Sequence, residues 1–236
     1  MLDKIKREMS QLSDPDRAKN LSWFFKTGKG QYAEGDIFLG IIVPEQRKVA
    51  KKYVNLSLDD LQELLSSKVH EHRFTALVIL ISKYRKAEKS GKKEIFNFYL
   101  KNTENVNNWD LVDVSAPRIV GNYLLDRERS ILYKLAKSDS LWERRISILS
   151  TFAFIGKKDF EDALNISELL LDDEHDLIHK AVGWALREIG KRDQNVEERF
   201  LAKHYLHMPR TMLRYAIEKF DEKKRKGYLN KNSTVA

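Results

Sequence analysis

The sequence predicts an all-α fold, a solenoid of stacked helix pairs, and three observations carry that prediction. Its 236 residues hold ten glycines and four prolines, about half the usual share, so the punctuation that an all-β or loop-rich fold needs is missing. Apolar residues recur on helical spacing along most of the chain, as from His72 to Tyr84. A basic residue followed three positions later by a small one appears as Arg73/Ala76, Arg144/Ser147 and Lys180/Gly183. That spacing fits helix pairs repeating every ~35 residues with one copy missing near position 108, where the chain instead reads Asn107-Asn-Trp-Asp-Leu-Val-Asp113. One repeat domain over 1–226 and a disordered tail over 227–236 are expected.

Taken in order, a first helical region ends near Lys26. Gly28, Gly30, Gly35 and Gly40 then cluster between Thr27 and Val43, an irregular connection that lasts until Pro44, which suits the first turn of a helix because its missing N–H is not needed there. No Gly-x-Gly-x-x-Gly follows a strand in this stretch, so a dinucleotide-cradling loop is not predicted. Ser57-Leu-Asp-Asp60 is a loose capping box that starts a helix through Ser66. The helix from His72 to Tyr84 is broken by Ser90-Gly91. Further helices are read at Lys93 to Lys101, Trp109 to Leu125, Glu128 to Lys137, Leu141 to Ile155, Phe160 to Leu171, His175 to Lys191, Val196 to His207 and Thr211 to Lys226. Pro117 cannot donate to the carbonyl of Asp113 and should kink its helix within a turn of that residue.

Composition excludes several function classes. With no cysteine, disulfides, a thiolate nucleophile and Cys-ligated metal centres are ruled out. No apolar run approaches the ~20 residues of a membrane span, and Met1 to Glu8 carries charges where a signal peptide needs an apolar stretch. A soluble, cytoplasmic monomer with no membrane partner is therefore expected. His175 and His179 have ligand spacing without a third ligand, and His70 and His72 point apart on a helix, so no metal is predicted. No serine sits in a Gly-x-Ser-x-Gly elbow. The net charge of +8 favours a polyanionic partner such as nucleic acid.

Two helices carry side chains suited to chemistry. At about 100° per residue, Asp113 lies about 40° from Trp109 while Leu111 and Val114 point the other way. If those two face the core, an indole and a carboxylate are presented together, although periodicity also permits Trp109 as a core aromatic. Asp110 reads as a charge favouring the helix N-terminus. In the later helix, Ile178, Val182, Ala185 and Ile189 form a core stripe, with Lys180, Trp184, Arg187 and Lys191 nearly opposite. Cations flanking an exposed indole suit nucleic acid, the charges on phosphates and the ring on sugar or base. The alternative is a Trp184 covered by the next repeat.

Five motifs in order then resemble a known family: Phe24-Phe-Lys-Thr-Gly, Asp36-Ile-Phe-Leu-Gly-Ile-x-x-Pro-x-x-Arg47, Asn108-Trp-Asp-Leu-Val-Asp113, Leu141-Trp-x-x-Arg-x-x-x-Leu149 and Ala181-Val-Gly-Trp-Ala-Leu-Arg-Glu188. From about Phe24 to Phe220 the chain is similar to the DNA alkylation repair family of HEAT-like-repeat DNA glycosylases, the AlkD type. The resemblance implies a HEAT-like curved superhelix, a catalytic carboxylate at Asp113, aromatic walls at Trp109 and Trp184, and an active-site arginine at Arg145, which the helical wheel does not distinguish from Arg144. It implies DNA contacts at Arg47, beside those read at Lys180, Arg187 and Lys191. The implied substrate is double-stranded DNA bearing N3- or N7-alkylated purines, cleaved without metal or cofactor. Some members carry an aromatic where this chain has Asn108. A non-enzymatic member that binds branched or distorted DNA is the rival reading. A protein-binding adaptor would leave the Trp-Asp pair unexplained.

Overall fold

The computed structural model describes residues 1–231, which fall into two compact units, one ending at Ser115 and the other beginning at Ala116. Both are built from helices, and among the described residues the only β pairing is one isolated bridge, Ile37 to Val69.

In the first unit, α1 (Leu2–Gln11) buries Ile5 and Met9, one turn apart. α2 (Pro15–Phe24), capped by Asp14, buries nothing. The glycine-rich connection follows, and α3 (Val43–Lys52) opens with Pro44 in its first turn. α4 (Leu58–Leu65) starts with the full capping box: Asp60 N–H donates to Ser57 Oγ at 3.0 Å and Ser57 N–H to Asp60 Oδ2 at 3.2 Å. α5 (His70–Lys86) is buried on nearly every side because α3, α4 and α7 (Trp109–Ser115) all pack on it. α6 (Lys89–Lys101) lies between α5 and α7 in the chain. The break after α5 falls at Ala87–Glu88, so Ser90 and Gly91 sit in the first turn of α6 instead of ending α5.

The helix read from Trp109 to Leu125 is divided as Pro117 requires. α7 stops at Ser115, and Pro117–Gly121 forms a π-helical turn in which Gly121 N–H reaches Ala116 O at 2.9 Å. The second unit continues with α8 (Ser130–Ala136), α9 (Leu141–Ser150), α10 (Phe152–Ile155), α11 (Glu161–Leu169), α12 (Asp176–Gly190), α13 (Gln194–His204), α14 (Arg210–Ala216) and α15 (Glu222–Lys231). α12 is its centre: α9, α11, α13 and α14 pack on it, and Ile178, Val182, Ala185 and Ile189 are fully buried. Gly227 to Lys231, expected as frayed tail, belongs to α15. The rest of that tail lies outside the described residues.

The repeat has a structural cause. Arg73 and Arg144 each occupy the first turns of a helix and donate from Nη1 to the carbonyl six residues upstream, Ser67 O at 2.8 Å and Ser138 O at 2.9 Å. Each also grips a carboxylate at 2.6 Å, Asp36 and Asp173 respectively. In α12 the equivalent contact, to Asp173 O, is made by His179. The third anchor is therefore His179, one residue before Lys180, which instead pairs with Asp176 at 2.6 Å.

Candidate active site

At the missing copy stands Asn108, fully buried. Its Oδ1 accepts from the N–H of Trp109 at 2.8 Å and its carbonyl accepts from Val112 at 3.1 Å, which starts α7. Leu111, Val112 and Ser115 are sealed in the core, while Trp109, Asp110 and Asp113 are half-buried. Val114 is half-buried too, so the core face is Leu111, Val112 and Ser115 in place of the expected Leu111 and Val114. Ser115 fixes the helix end by donating to Leu111 O and meeting the Tyr99 hydroxyl at 2.9 Å. Burial raises the Tyr99 pKa far above its usual value, so the phenol stays neutral.

Trp109 is held by an aromatic stack. Its ring lies parallel to Phe25 at 5.2 Å, Phe25 stacks on Phe38 at 5.0 Å, and Phe38 stacks on the imidazole of His70 at 4.6 Å. Phe24 meets Trp109 edge-on at 6.0 Å. His70, 2 % exposed, also lies within a chain of alternating charges: Arg73 holds Asp36 at 2.6 Å, Asp36 Oδ2 stands 3.5 Å from His70 Nδ1, and His70 Nε2 meets Asp110 Oδ2 at 2.8 Å. Burial alone would lower the imidazole pKa. The charge and hydrogen bond of Asp110, with Asp36 behind, outweigh burial and Arg73 and push it up to about 9. For its neighbour His72, burial with the charges of Lys6 and Arg73 pushes the pKa down to about 4. Between them the buried Glu71 carboxylate accepts from the backbone N–H groups of Leu39 (3.0 Å), Gly40 (2.8 Å) and Ile41 (3.2 Å), which fixes the end of the glycine-rich connection.

In the second unit, Arg145 is buried in α9 and donates from Nη1 to Leu177 O at 2.5 Å. Arg144 is spent on Asp173, Ser138 O and Asp139 O. Trp184 is half-buried on α12, edge-on to Phe152 at 4.8 Å, with its Nε1–H directed to Glu188 Oε1 at 3.3 Å. It is thus neither a bare exposed indole nor a core residue. The cations around it are engaged: Lys180 with Asp176, Arg187 with Glu218, and Lys191 with Glu188 at 2.6 Å. Each of the three cations expected to flank the indole thus has a carboxylate partner. Arg47 is exposed on α3.

Trp109, Asp110 and Asp113 are brought together on one helix of the first unit; Arg145 and Trp184 belong to the second. Sequence reasoning missed His70 and Asp36 and gave Asp110 only a helix-end role. The pairing joins residues from three separate segments, and only the basic and acidic side chains at the start of α5 and α7 hinted at it. Among the described residues no group of three His, Asp or Glu side chains is placed to hold a metal ion, and no helix is long and apolar enough to cross a membrane.

Comparison with known proteins agrees with the motifs. A described predicted DNA alkylation repair enzyme from Enterococcus faecalis superimposes with a TM-score of 0.70 at 16 % identity, over 89 % of this chain and 97 % of that one. AlkD2 from Streptococcus mutans gives 0.56 at 19 % identity, over 88 % and 99 %. A third structure, smu.31 from Streptococcus mutans UA159, gives 0.51 at 18 % identity, over 99 % and 98 %. These similarities bear on the fold. No curated protein matches the chain. The model of the DNA alkylation repair enzyme family matches residues 5–220, and on that match the chain belongs to the DNA alkylation repair enzyme family.

Proposed function

We propose that the protein is a monofunctional DNA glycosylase that excises cationic N3- and N7-alkylated purines, 3-alkyladenine and 7-alkylguanine, from duplex DNA for base excision repair. The observation that carries this reading is α7, which presents the Trp109 indole and the Asp113 carboxylate half-buried together while Leu111, Val112 and Ser115 lock the helix into the core.

The chemistry suits those two groups. An N3- or N7-alkylated purine is already cationic, so when the glycosidic bond to C1′ breaks, the bonding pair leaves with the base and neutralises it. No general acid is required. Positive charge develops on the deoxyribose, and an ionised carboxylate beside C1′ stabilises it, with indole faces adding cation–π attraction of ~0.5–2 kcal/mol. Water then bonds to C1′ and its proton passes to Asp113 or to solvent, which completes the hydrolysis. In this reading Asp113 is the catalytic carboxylate and Trp109 and Trp184 are aromatic walls. Arg145, anchored on Leu177 O, is a fixed positive charge, and Arg47, Lys180, Arg187 and Lys191 meet phosphates. No metal or cofactor has a part in it.

The test is single-turnover incubation with duplexes carrying 7-methylguanine, 3-methyladenine, hypoxanthine, uracil or 1,N6-ethenoadenine, scored for free base and abasic sites. Release confined to the two cationic bases supports the reading. Release of neutral bases at similar rates would require an acid that the proposal lacks. No release from any duplex, with tight binding to branched DNA, would make the protein a non-enzymatic binder.

A further inference from the structure

Trp23 has a relative exposure of 82 %, the largest among the exposed large hydrophobic residues described, and Phe24 beside it is 54 % exposed. Both end α2, a helix with no buried residue. Such a helix would ordinarily be loose, yet this one is fastened at its N-terminal end. Asp14 N–H donates to Leu39 O at 2.8 Å, Arg17 Nη1 donates to Gly40 O at 2.8 Å, and Asp14 caps the helix through Arg17 N–H at 2.9 Å. Gly40, at φ 82°, lets the chains touch: a Cβ there would stand 2.2 Å from Asp14 O and 2.8 Å from Ala18 N. Leu39 and Gly40 are in turn gripped by buried Glu71. The helix is thus held by its inner edge while Lys19, Trp23 and Phe24 remain exposed.

What it displays is cationic and aromatic. Lys19 lies one turn before Trp23 on the same face, and Lys26 and Lys29 follow in the next segment. Among the described residues none of these three lysines has a carboxylate within 4.0 Å, whereas Arg17 is already paired with Asp14. Lys26 also holds φ 60°, a conformation where glycine would be unstrained. Through Phe24, edge-on to Trp109, this aromatic surface is continuous with the face of α7 that carries Asp113.

We propose that Trp23, with Phe24 and the lysines Lys19, Lys26 and Lys29, forms a ledge that receives duplex DNA beside the modified nucleotide. The lysines meet phosphates and the indole packs on the deoxyribose or base of a locally unstacked nucleotide. Unpaired lysines next to a bare indole match a polyanion with apolar ring faces. This rests on the DNA reading given above and adds to it a surface that reading does not use.

The experiment is fluorescence-anisotropy titration of the full chain and of Trp23→Ala, Trp23→Phe and Lys19→Ala with an undamaged and a mismatched duplex. Thermal stability and size-exclusion profiles are measured on the same samples. Trp23→Ala is expected to weaken binding roughly tenfold, more on the mismatched duplex, with an unchanged melting temperature because Trp23 buries nothing. Trp23→Phe should recover most of the loss. Lys19→Ala should flatten the salt dependence by ~0.9 in log–log slope. DNA should shield from acrylamide a fraction of tryptophan emission that is absent in Trp23→Phe. Unchanged affinity in Trp23→Ala overturns the proposal, as does a change confined to oligomeric state, which would make the ledge a contact between copies. Trp23-dependent binding by a protein that releases no base from the alkylated duplexes of the preceding test would uphold the ledge and end the glycosylase reading; base release from those duplexes by a protein whose affinity is unchanged in Trp23→Ala would do the reverse.

Discussion

His70 Nε2 lies 2.8 Å from Asp110 Oδ2, tying the first turn of α5 to the first turn of the helix that carries Trp109 and Asp113. Because the imidazole pKa is pushed up from its ordinary 6.5 to about 9, the folded protein binds a proton here more tightly than the unfolded chain. The stabilisation is fully present below about pH 6.5 and is lost as pH rises through about 9.

Denaturant stability measured from pH 6 to pH 10 should therefore fall on the order of 3 kcal/mol from this group. His70→Gln should flatten that part of the profile while starting from a lower plateau. A flat wild-type profile, or one unaltered in the variant, would show that His70 is not the charged partner of Asp110.

The two acidic residues of α7 should separate by readout. Asp113→Asn should lower single-turnover base release by about 10²–10³ with little change in melting temperature, since a charge aimed at the transition state is lost and the shape is kept. Asp110→Asn should act mainly on stability, because it leaves the buried His70 imidazolium without its nearest carboxylate. Equal losses of rate in the two variants would displace Asp113 from the catalytic role.

Glu188 is the hub of the α12 surface. It accepts from Trp184 at 3.3 Å, Lys191 at 2.6 Å and Arg192 at 3.0 Å, and those cations hold its carboxyl below the usual range against the opposing effect of burial. Glu188→Gln should release Lys191 and Arg192, tighten duplex binding at low salt, and steepen log K against log[salt] by up to ~0.9 for each cation that gains a phosphate. An unaltered slope would mean that this face of α12 does not meet DNA.

Glu197 of α13 lies over Gly190 of α12 so closely that a Cβ on the glycine would stand 1.6 Å from Glu197 Oε2. Burial, helped by neighbouring Glu198 and opposed by Arg187, pushes its carboxyl from 4.5 up to about 8. Stability from this group is complete below about pH 4.5 and declines as pH rises through about 8. Glu197→Gln should remove that decline and leave the protein more stable than wild type at pH 8.5. Gly190→Ala should cost about 1–3 kcal/mol by overpacking and, by expelling Glu197, should erase the same pH dependence. Urea titrations at pH 5 and pH 8.5 measure both.

The helices, the capping box at Ser57, the break at Pro117 and the core stripe of α12 were legible in the sequence because each depends on contacts within a few residues. Period, cap and missing N–H are local facts. The repeat was legible for the same reason, although the spacing put Lys180 in its third copy when the hydrogen bond is made by His179: spacing alone cannot say which of two adjacent polar side chains turns back to the preceding loop. The pairing of Trp109 with Asp113 followed from helical angle. What tertiary structure alone decided is which charges are spoken for. Lys180, Arg187 and Lys191 read as free cations until Asp176, Glu218 and Glu188 are found beside them. His70 read as idle until Asp36 and Asp110, from distant segments, closed on it. A charge's availability and its proton affinity are set by what lies within a few ångströms, and for side chains far apart in sequence that distance exists only once the chain has folded.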